Sequence, residues 1–339
     1  MSRRVFFACV MMIFASSAAA AGCSSVFNST LPQRSGSDGI QETPQSIRHW
    51  TRKAGMPTAR GYLAAGVVNG ALYAVGGIYD GDNIALKTVE AYDYTTNTWT
   101  AKAHMPTART ALAAGTVNGI LYVIGGYGSN DASTKVDAYD PTTDSWTTKA
   151  NMPTGRAFLA AGVVNGILYA VGGSGPFGSV DTVEAYDPTT DTWTTKRPMP
   201  KPREALAVGV VNGILFAVGG AYCPYGLSCA YKSGLYAYDP ATDTWTQKAD
   251  MPKGARFNLA AGAVGGRLYA VGGSTGDGSF NVNRVEAYDP ATNTWAEKAP
   301  MPTPRDALAA GVVNGELYAV GGADIYGVGM HTLQAFNPQ

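Results

Sequence analysis

Short apolar runs with the alternating pattern of a β-strand recur along most of the chain. In one example, LAAGVV at 159–164 and LYAV at 168–171 are separated by Asn-Gly at 165–166. Asn-Gly between two apolar runs predicts a tight hairpin, because both residues tolerate a positive φ. VEAY at 183–186 and TWTT at 192–195 then flank an Asp-Pro turn. The pattern predicts a unit of four short antiparallel strands, which we call a to d.

This unit is repeated six times, at intervals of about fifty residues. A glycine pair follows strand b in every copy, a Tyr-Asp or a relative ends strand c, and a Trp marks strand d. The glycine pairs begin at Gly76, Gly125, Gly172, Gly219, Gly272 and Gly321. Gly-Gly, Tyr-Asp and Trp at this period resemble the kelch repeat. The resemblance implies an all-β fold, a six-bladed kelch β-propeller over residues 47–339, with strand a innermost.

The last copy ends after LQAF at 333–336 and lacks its Trp, whereas Trp50 precedes the first copy. We therefore predict that the last blade is closed by an N-terminal strand d, so that both chain ends share one sheet. The recurring Tyr and Trp are interpreted as blade-packing residues. The alternative is a sugar-stacking platform.

The first residues indicate export. Arg3 and Arg4 precede an apolar run, so residues 1–22 are predicted to be a signal peptide, with a twin-arginine or an ordinary secretory route. Ala-Ala-Gly before Cys23 resembles the bacterial lipobox, which implies lipidation of Cys23; ordinary cleavage is the alternative. Residues 23–46 lack apolar periodicity and are predicted to be a flexible tether. The expected location is periplasmic or at the cell surface, membrane-anchored through Cys23.

Charge and composition narrow the partners. The chain carries 25 Lys and Arg against 25 Asp and Glu, without a basic cluster, which argues against nucleic acid. No cofactor or metal is expected, because the three histidines are scattered and no nucleophile elbow, phosphate loop or zinc motif occurs. The protein is expected to be a monomer. The copper-dependent kelch oxidases need two His ligands and a Tyr cross-linked to a Cys. The isolated histidines and the expected pairing of the loop cysteines argue against that chemistry. Cys223 and Cys229 lie in the longest b–c loop and are predicted to form a disulfide, with free thiols as the alternative.

One face of the propeller varies between copies. It holds the b–c loops and the crossings from strand d into the next strand a, and variable loops on a rigid frame usually carry binding. Every crossing contains an Arg. It either binds an acidic ligand at the mouth, which is the end of the central channel on this face, or donates hydrogen bonds to neighbouring loop carbonyls. These residues are Arg60, Arg109, Arg156, Arg203, Arg256 and Arg305.

The residues just after each Arg break the symmetry and are the candidate ligand-binding positions. They include Tyr62, Phe158, Phe257 and Asn258. Glu204 and Asp306 are the carboxylates of this set, either an acid and base acting on a sugar or a solvated rim.

Three functions remain. The first is a binding module that recognises a protein or glycan partner, with an acidic ligand as one option. The second is a carbohydrate-active enzyme similar to the kelch-type sialic acid mutarotases. The third is a structural component of the envelope.

Overall fold

A computed structural model describes residues 50–79, 84–128, 131–225, 227–276 and 280–338. The predicted signal peptide, Cys23 and tether lie outside the described residues. Across the described ranges the chain forms strands, turns and loops and no helix. Accordingly, this part of the chain has no helix that is long and apolar enough to cross a membrane.

The strands form six sheets of four, the blades of a propeller. Blade 1 contains Ala64–Val68, Ala71–Val75, Val89–Asp93 and Thr98–Lys102. Blade 2 contains Ala113–Val117, Ile120–Ile124, Val136–Asp140 and Ser145–Thr148. Blade 3 contains Ala160–Val164, Ile167–Val171, Val183–Asp187 and Thr192–Lys196. Blade 4 contains Ala207–Val211, Ile214–Val218, Leu235–Asp239 and Thr244–Lys248. Blade 5 contains Ala260–Val264, Arg267–Val271, Val285–Asp289 and Thr294–Lys298. Blade 6 contains Ala309–Val313, Glu316–Val320, Leu333–Phe336 and Trp50–Arg52.

Two further hairpins lie in b–c loops. Ser174–Gly175 pairs with Gly178–Ser179 in blade 3, and Ala221–Tyr222 pairs with Ala230–Tyr231 in blade 4.

Each blade is antiparallel throughout, in the order a, b, c, d. Strands b and c are buried almost end to end, because neighbouring blades cover both of their faces, whereas strand d is largely exposed. Neighbouring a strands contact one another around the axis. Glycine on strand a makes this approach feasible: a Cβ on Gly66 would lie only 2.3 Å from Leu121 Cδ1 of the next blade.

The predicted closure of the last blade is confirmed. Trp50 pairs with Phe336 and Arg52 with Gln334, which places the N-terminal strand at the outer edge of blade 6. The Trp50 ring packs 5.3 Å from Phe336, and its Nε1 donates to Ala299 O of blade 5 at 2.9 Å. The sheet therefore joins both ends of the propeller.

The recurring aromatic residues are packing residues. Tyr186 is buried against Trp193, with ring centroids 5.1 Å apart. The indole of Trp193 donates to Ala150 O, which follows strand d of the preceding blade. The same contacts recur from blade to blade and leave these side chains unavailable as a sugar-stacking platform.

Candidate functional site

The six crossing arginines are buried within the blades. Arg156 is typical: Nη2 donates to Glu184 Oε2 on strand c at 2.6 Å, and Nη1 donates to Gly172 O and Thr182 O. Four arginines have such an acidic partner, in the pairs Arg60–Glu90, Arg109–Asp137, Arg156–Glu184 and Arg256–Glu286. Each pair holds the crossing against strands b and c of the blade that it begins.

In blades 4 and 6 the strand c position of this acid is occupied by Tyr236 and Gln334. Arg203 lies over the Tyr236 ring, 4.7 Å from its centroid, and donates to Gly219 O and Gly234 O. Arg305 donates to the Gln334 amide oxygen at 3.1 Å and to three backbone carbonyls. Burial without a nearby carboxylate lowers the pKa of Arg305 to about 9.

The expectation that six arginines ring the mouth is thus corrected. Their guanidinium donors are directed to carbonyls and to strand c, which is the structural alternative. A signal was present in the sequence, since Glu or Asp occupies the second position of strand c in four of the copies. The strand register that brings these acids to the arginines is a tertiary feature.

The axis is closed by a ring of backbone hydrogen bonds. The second residue after each Arg has a φ between 49° and 53°, and its N–H donates to the carbonyl of the equivalent residue in the preceding blade at 2.8–2.9 Å. The ring consists of Tyr62, Ala111, Phe158, Ala205, Asn258 and Ala307. The left-handed conformation is uncommon for Tyr, Phe and Ala, so the ring carries backbone strain at the axis.

Large and small side chains alternate around this ring. Tyr62, Phe158 and Asn258 come from blades 1, 3 and 5, and alanine occupies the position in the other three blades. They line an axial cavity of about 90 Å³ together with the leucines that follow. The Tyr62 ring meets Phe158 edge to face at 5.7 Å, and Asn258 Nδ2 lies 3.4 Å from Tyr62 Oη. Three of the predicted ligand-binding side chains therefore meet at the axis.

Phe257 does not line the cavity. It is the first residue after its Arg, and its backbone pairs with Ser274 at the start of a b–c loop. Its ring stacks on Tyr231 of the blade 4 loop at 4.5 Å. The side chain joins two loops instead of reaching the mouth.

Asp306 and Glu204 occupy equivalent positions in blades 6 and 4. Asp306 is 3% exposed, lies 3.4 Å from Asn258 Nδ2, and has its pKa raised by burial to about 7. Burial, and secondarily the charge of Asp306, also raises the pKa of Tyr62. Asp306 can therefore exchange a proton near neutral pH.

Glu204 is 5% exposed and accepts a hydrogen bond from Ser179 Oγ at 2.9 Å, while burial raises its pKa. Its other polar neighbour is Ser174, also in blade 3. Within the described ranges no hydrogen bond joins Glu204 to Asp306. Both carboxylates are buried, so they do not form a solvated rim, and the structure does not pair them as an acid and base.

The surface feature that the candidate positions missed is a set of exposed apolar side chains on the b–c loops. We call this set the loop patch. It comprises Tyr79, Ile84, Phe177, Tyr222, Tyr225, Leu227, Phe280, Ile325, Tyr326 and Val328. Phe177 and Tyr326 are 83% and 79% exposed. The sequence signal was the aromatic content of these loops, but propensity could not show which side chains point outward.

The loops of blades 3 and 4 brace each other. Cys223 and Cys229 are joined by a disulfide. Cys223 N donates to Ser179 Oγ at 2.7 Å, and Ser179 N donates to Cys223 O at 3.1 Å. The backbone of Gly178 bridges to Pro224. Phe177 and Tyr225, which adjoin this bridge, are therefore held on one support.

No group of three His, Cys, Asp or Glu is placed to hold a metal ion in the part of the chain that the structure describes.

Comparison with known proteins agrees with the geometry. The family described as KLHDC2/KLHL20/DRC7 Kelch-repeats domain matches residues 63–253, and the Kelch motif matches residues 255–302. No curated protein matches the sequence. Among solved structures, that of YjhT has a TM-score of 0.72 and 18% identity, covering 82% of this chain and 95% of that chain, which shows a shared fold. Since the first match alone spans more than half of the sequence, the chain belongs to the kelch-repeat family.

Proposed function

We propose that this chain is a binding module that holds a protein or glycan partner on its loop face. The supporting observation is the loop patch. Every exposed large apolar residue in the described ranges except Tyr94 belongs to a b–c loop. Such clustering marks interaction surfaces, because scattered exposure would carry no preference for one face.

The composition of the patch favours a protein partner. Ile84, Leu227, Ile325 and Val328 are aliphatic and exposed alongside the aromatic residues. Aromatic rings can stack on sugars. Aliphatic side chains interact weakly with a hydroxyl-rich ligand, but they pack well against apolar protein surface. A rigid support adds affinity, since less side-chain and loop entropy is lost on binding.

Alanine replacement of Phe177, Tyr225 and Tyr326 tests this function. The immobilised wild-type domain should retain a partner that rebinds it directly after purification, and the triple variant should bind that partner at least about tenfold more weakly. Tyr94→Ala is the matched control, because Tyr94 is an exposed aromatic residue on a c–d turn of the opposite face. Equal binding by the triple variant would refute the assignment.

An enzyme acting on sugars is the second candidate, favoured by the proton exchange available at Asp306. Against it, the axial cavity is far below the roughly 300–1,000 Å³ of usual ligand pockets. Interconversion of the anomers of an acidic sugar, lost in Glu204→Gln and Asp306→Asn, would support the enzyme; absence of turnover in wild type would remove it.

We also infer export and anchoring through Cys23, from the N-terminal pattern of charged, apolar and small residues. Labelling with a palmitate analogue in a bacterial host, compared with Cys23→Ser, tests the anchor.

A further inference from the structure

Six carboxylates are buried in the described part of the chain, and four of them are paired with an arginine. Those pairs join Glu90, Asp137, Glu184 and Glu286 to their arginines at 2.5–2.8 Å. The other two, Glu204 and Asp306, form no ion pair with any described residue. A buried carboxylate without a counter-ion is costly. The residues that follow them, Ala205 and Ala307, line the axial cavity, where a ligand can supply the missing charge.

Among the described residues, Asp306 is surrounded by amide donors and by no cation. Asn258 Nδ2 reaches its carboxylate only at 3.4 Å, beyond the usual hydrogen-bond range. The other charged group that acts on it is Asp324, which is also negative, and the neighbouring titratable group is the Tyr62 hydroxyl. No lysine or arginine among the described residues offsets this charge.

Asn281 supplies an independent observation. Its side chain is 7% exposed and its amide hydrogen-bonds to Asp306. Nδ2 also donates to Ala323 O at 2.8 Å, whereas Oδ1 accepts no hydrogen bond from any described residue. An acceptor buried without a donor costs about 1–3 kcal/mol. Within the described ranges the Asp306 carboxylate thus has amide donors but no cation, and the neighbouring Asn281 Oδ1 has no donor.

We propose that the mouth of the propeller binds a lysine or arginine side chain of the partner protein, with Asp306 as its counter-ion and Asn281 Oδ1 as a second acceptor. This rests on the proposed binding function and names the charge of the group that the mouth selects. It reverses the acidic ligand expected from the crossing arginines, because those arginines are buried. The axial cavity is large enough for the end of a side chain, and the Tyr62 and Phe158 rings that line it attract cations.

Short capped peptides test the charge preference. The probes are Gly-Lys-Gly, the same peptide with uncharged norleucine, and the same peptide with glutamate, titrated into the whole domain at a pH above the pKa of Asp306. Wild type should bind the lysine peptide at least about tenfold more tightly than the norleucine peptide. Asp306→Asn should abolish that preference, and Asn281→Ala, which removes no charged group, should reduce it. Asp93→Asn, on an exposed turn of the opposite face, is the matched control and should retain it.

Equal affinity for the lysine and norleucine peptides, no binding of any probe at millimolar concentration, or a preference that survives in Asp306→Asn would overturn the proposal. Glucosamine and glucose form the second arm: stronger Asp306-dependent binding of glucosamine than of the lysine peptide would overturn the assignment to a protein side chain. A partner that binds through the loop patch while no lysine preference exists would refute this inference and leave the binding function standing.

Discussion

Asp306→Asn should stabilise the protein above neutral pH and have little effect in acid. The folded state raises the pKa of Asp306 from 3.8 to about 7 because burial disfavours the charged form. Between these values the native state binds more protons than the unfolded state, so this group's contribution to stability falls as pH rises from about 4 to about 7. Each pKa unit corresponds to 1.36 kcal/mol, which gives at most about 4 kcal/mol above pH 7. The asparagine side chain of the variant does not titrate, so the variant does not lose this stability as the pH rises.

Urea denaturation followed by tryptophan fluorescence measures the effect. The free energy of unfolding of Asp306→Asn minus that of wild type should rise between about pH 4 and about pH 8, with its midpoint in the titration range of Asp306. Subtraction removes the groups that titrate independently of Asp306. Burial raises the pKa of Tyr62, so this neighbour stays protonated over the range. Asp93→Asn is the control. Hydrogen bonds from Thr95 lower the pKa of Asp93, so the pH dependence of its difference lies below about pH 4 and the difference should be flat between about pH 4 and about pH 8. For Asp306→Asn, a difference that stays flat over that range, or one that falls, would refute the reasoning.

Two further predictions concern the propeller frame. Deleting residues 47–54 should lower the melting temperature far more than deleting 24–46, because only the first removes the Trp50 strand; scanning calorimetry decides, and equal losses would contradict the closure argument. Gln334→Glu should raise the free energy of unfolding by about 1–3 kcal/mol, since it gives Arg305 the carboxylate present in four other blades, and Gln334→Leu should lower it. Denaturation at neutral pH compares the two variants, and a Glu variant no more stable than wild type would show that the amide already satisfies Arg305.

Much of the architecture was predictable because it follows from short-range sequence patterns. Strand alternation, the Asn-Gly hairpins and the glycine pairs each act over a few residues, so their repetition indicates blades without knowledge of contacts. Trp50 precedes the first copy and the last copy lacks its Trp, so the closure of the last blade could also be predicted from the repeat pattern. Tyr62, Phe158 and Asn258 were found because they break the repeat.

The tertiary structure decided the direction and pairing of the polar side chains. An arginine beside a loop can reach outward to a ligand or inward to a carbonyl, and its own sequence neighbourhood is the same in both cases. Strand register selects the inward orientation by placing Glu184 and its equivalents against the guanidinium groups. The same packing buries Asp306 without a cation. The repeated sequence pattern therefore determined the six-bladed propeller. The burial of the arginines and of Asp306 depended on contacts between residues that are distant in the chain.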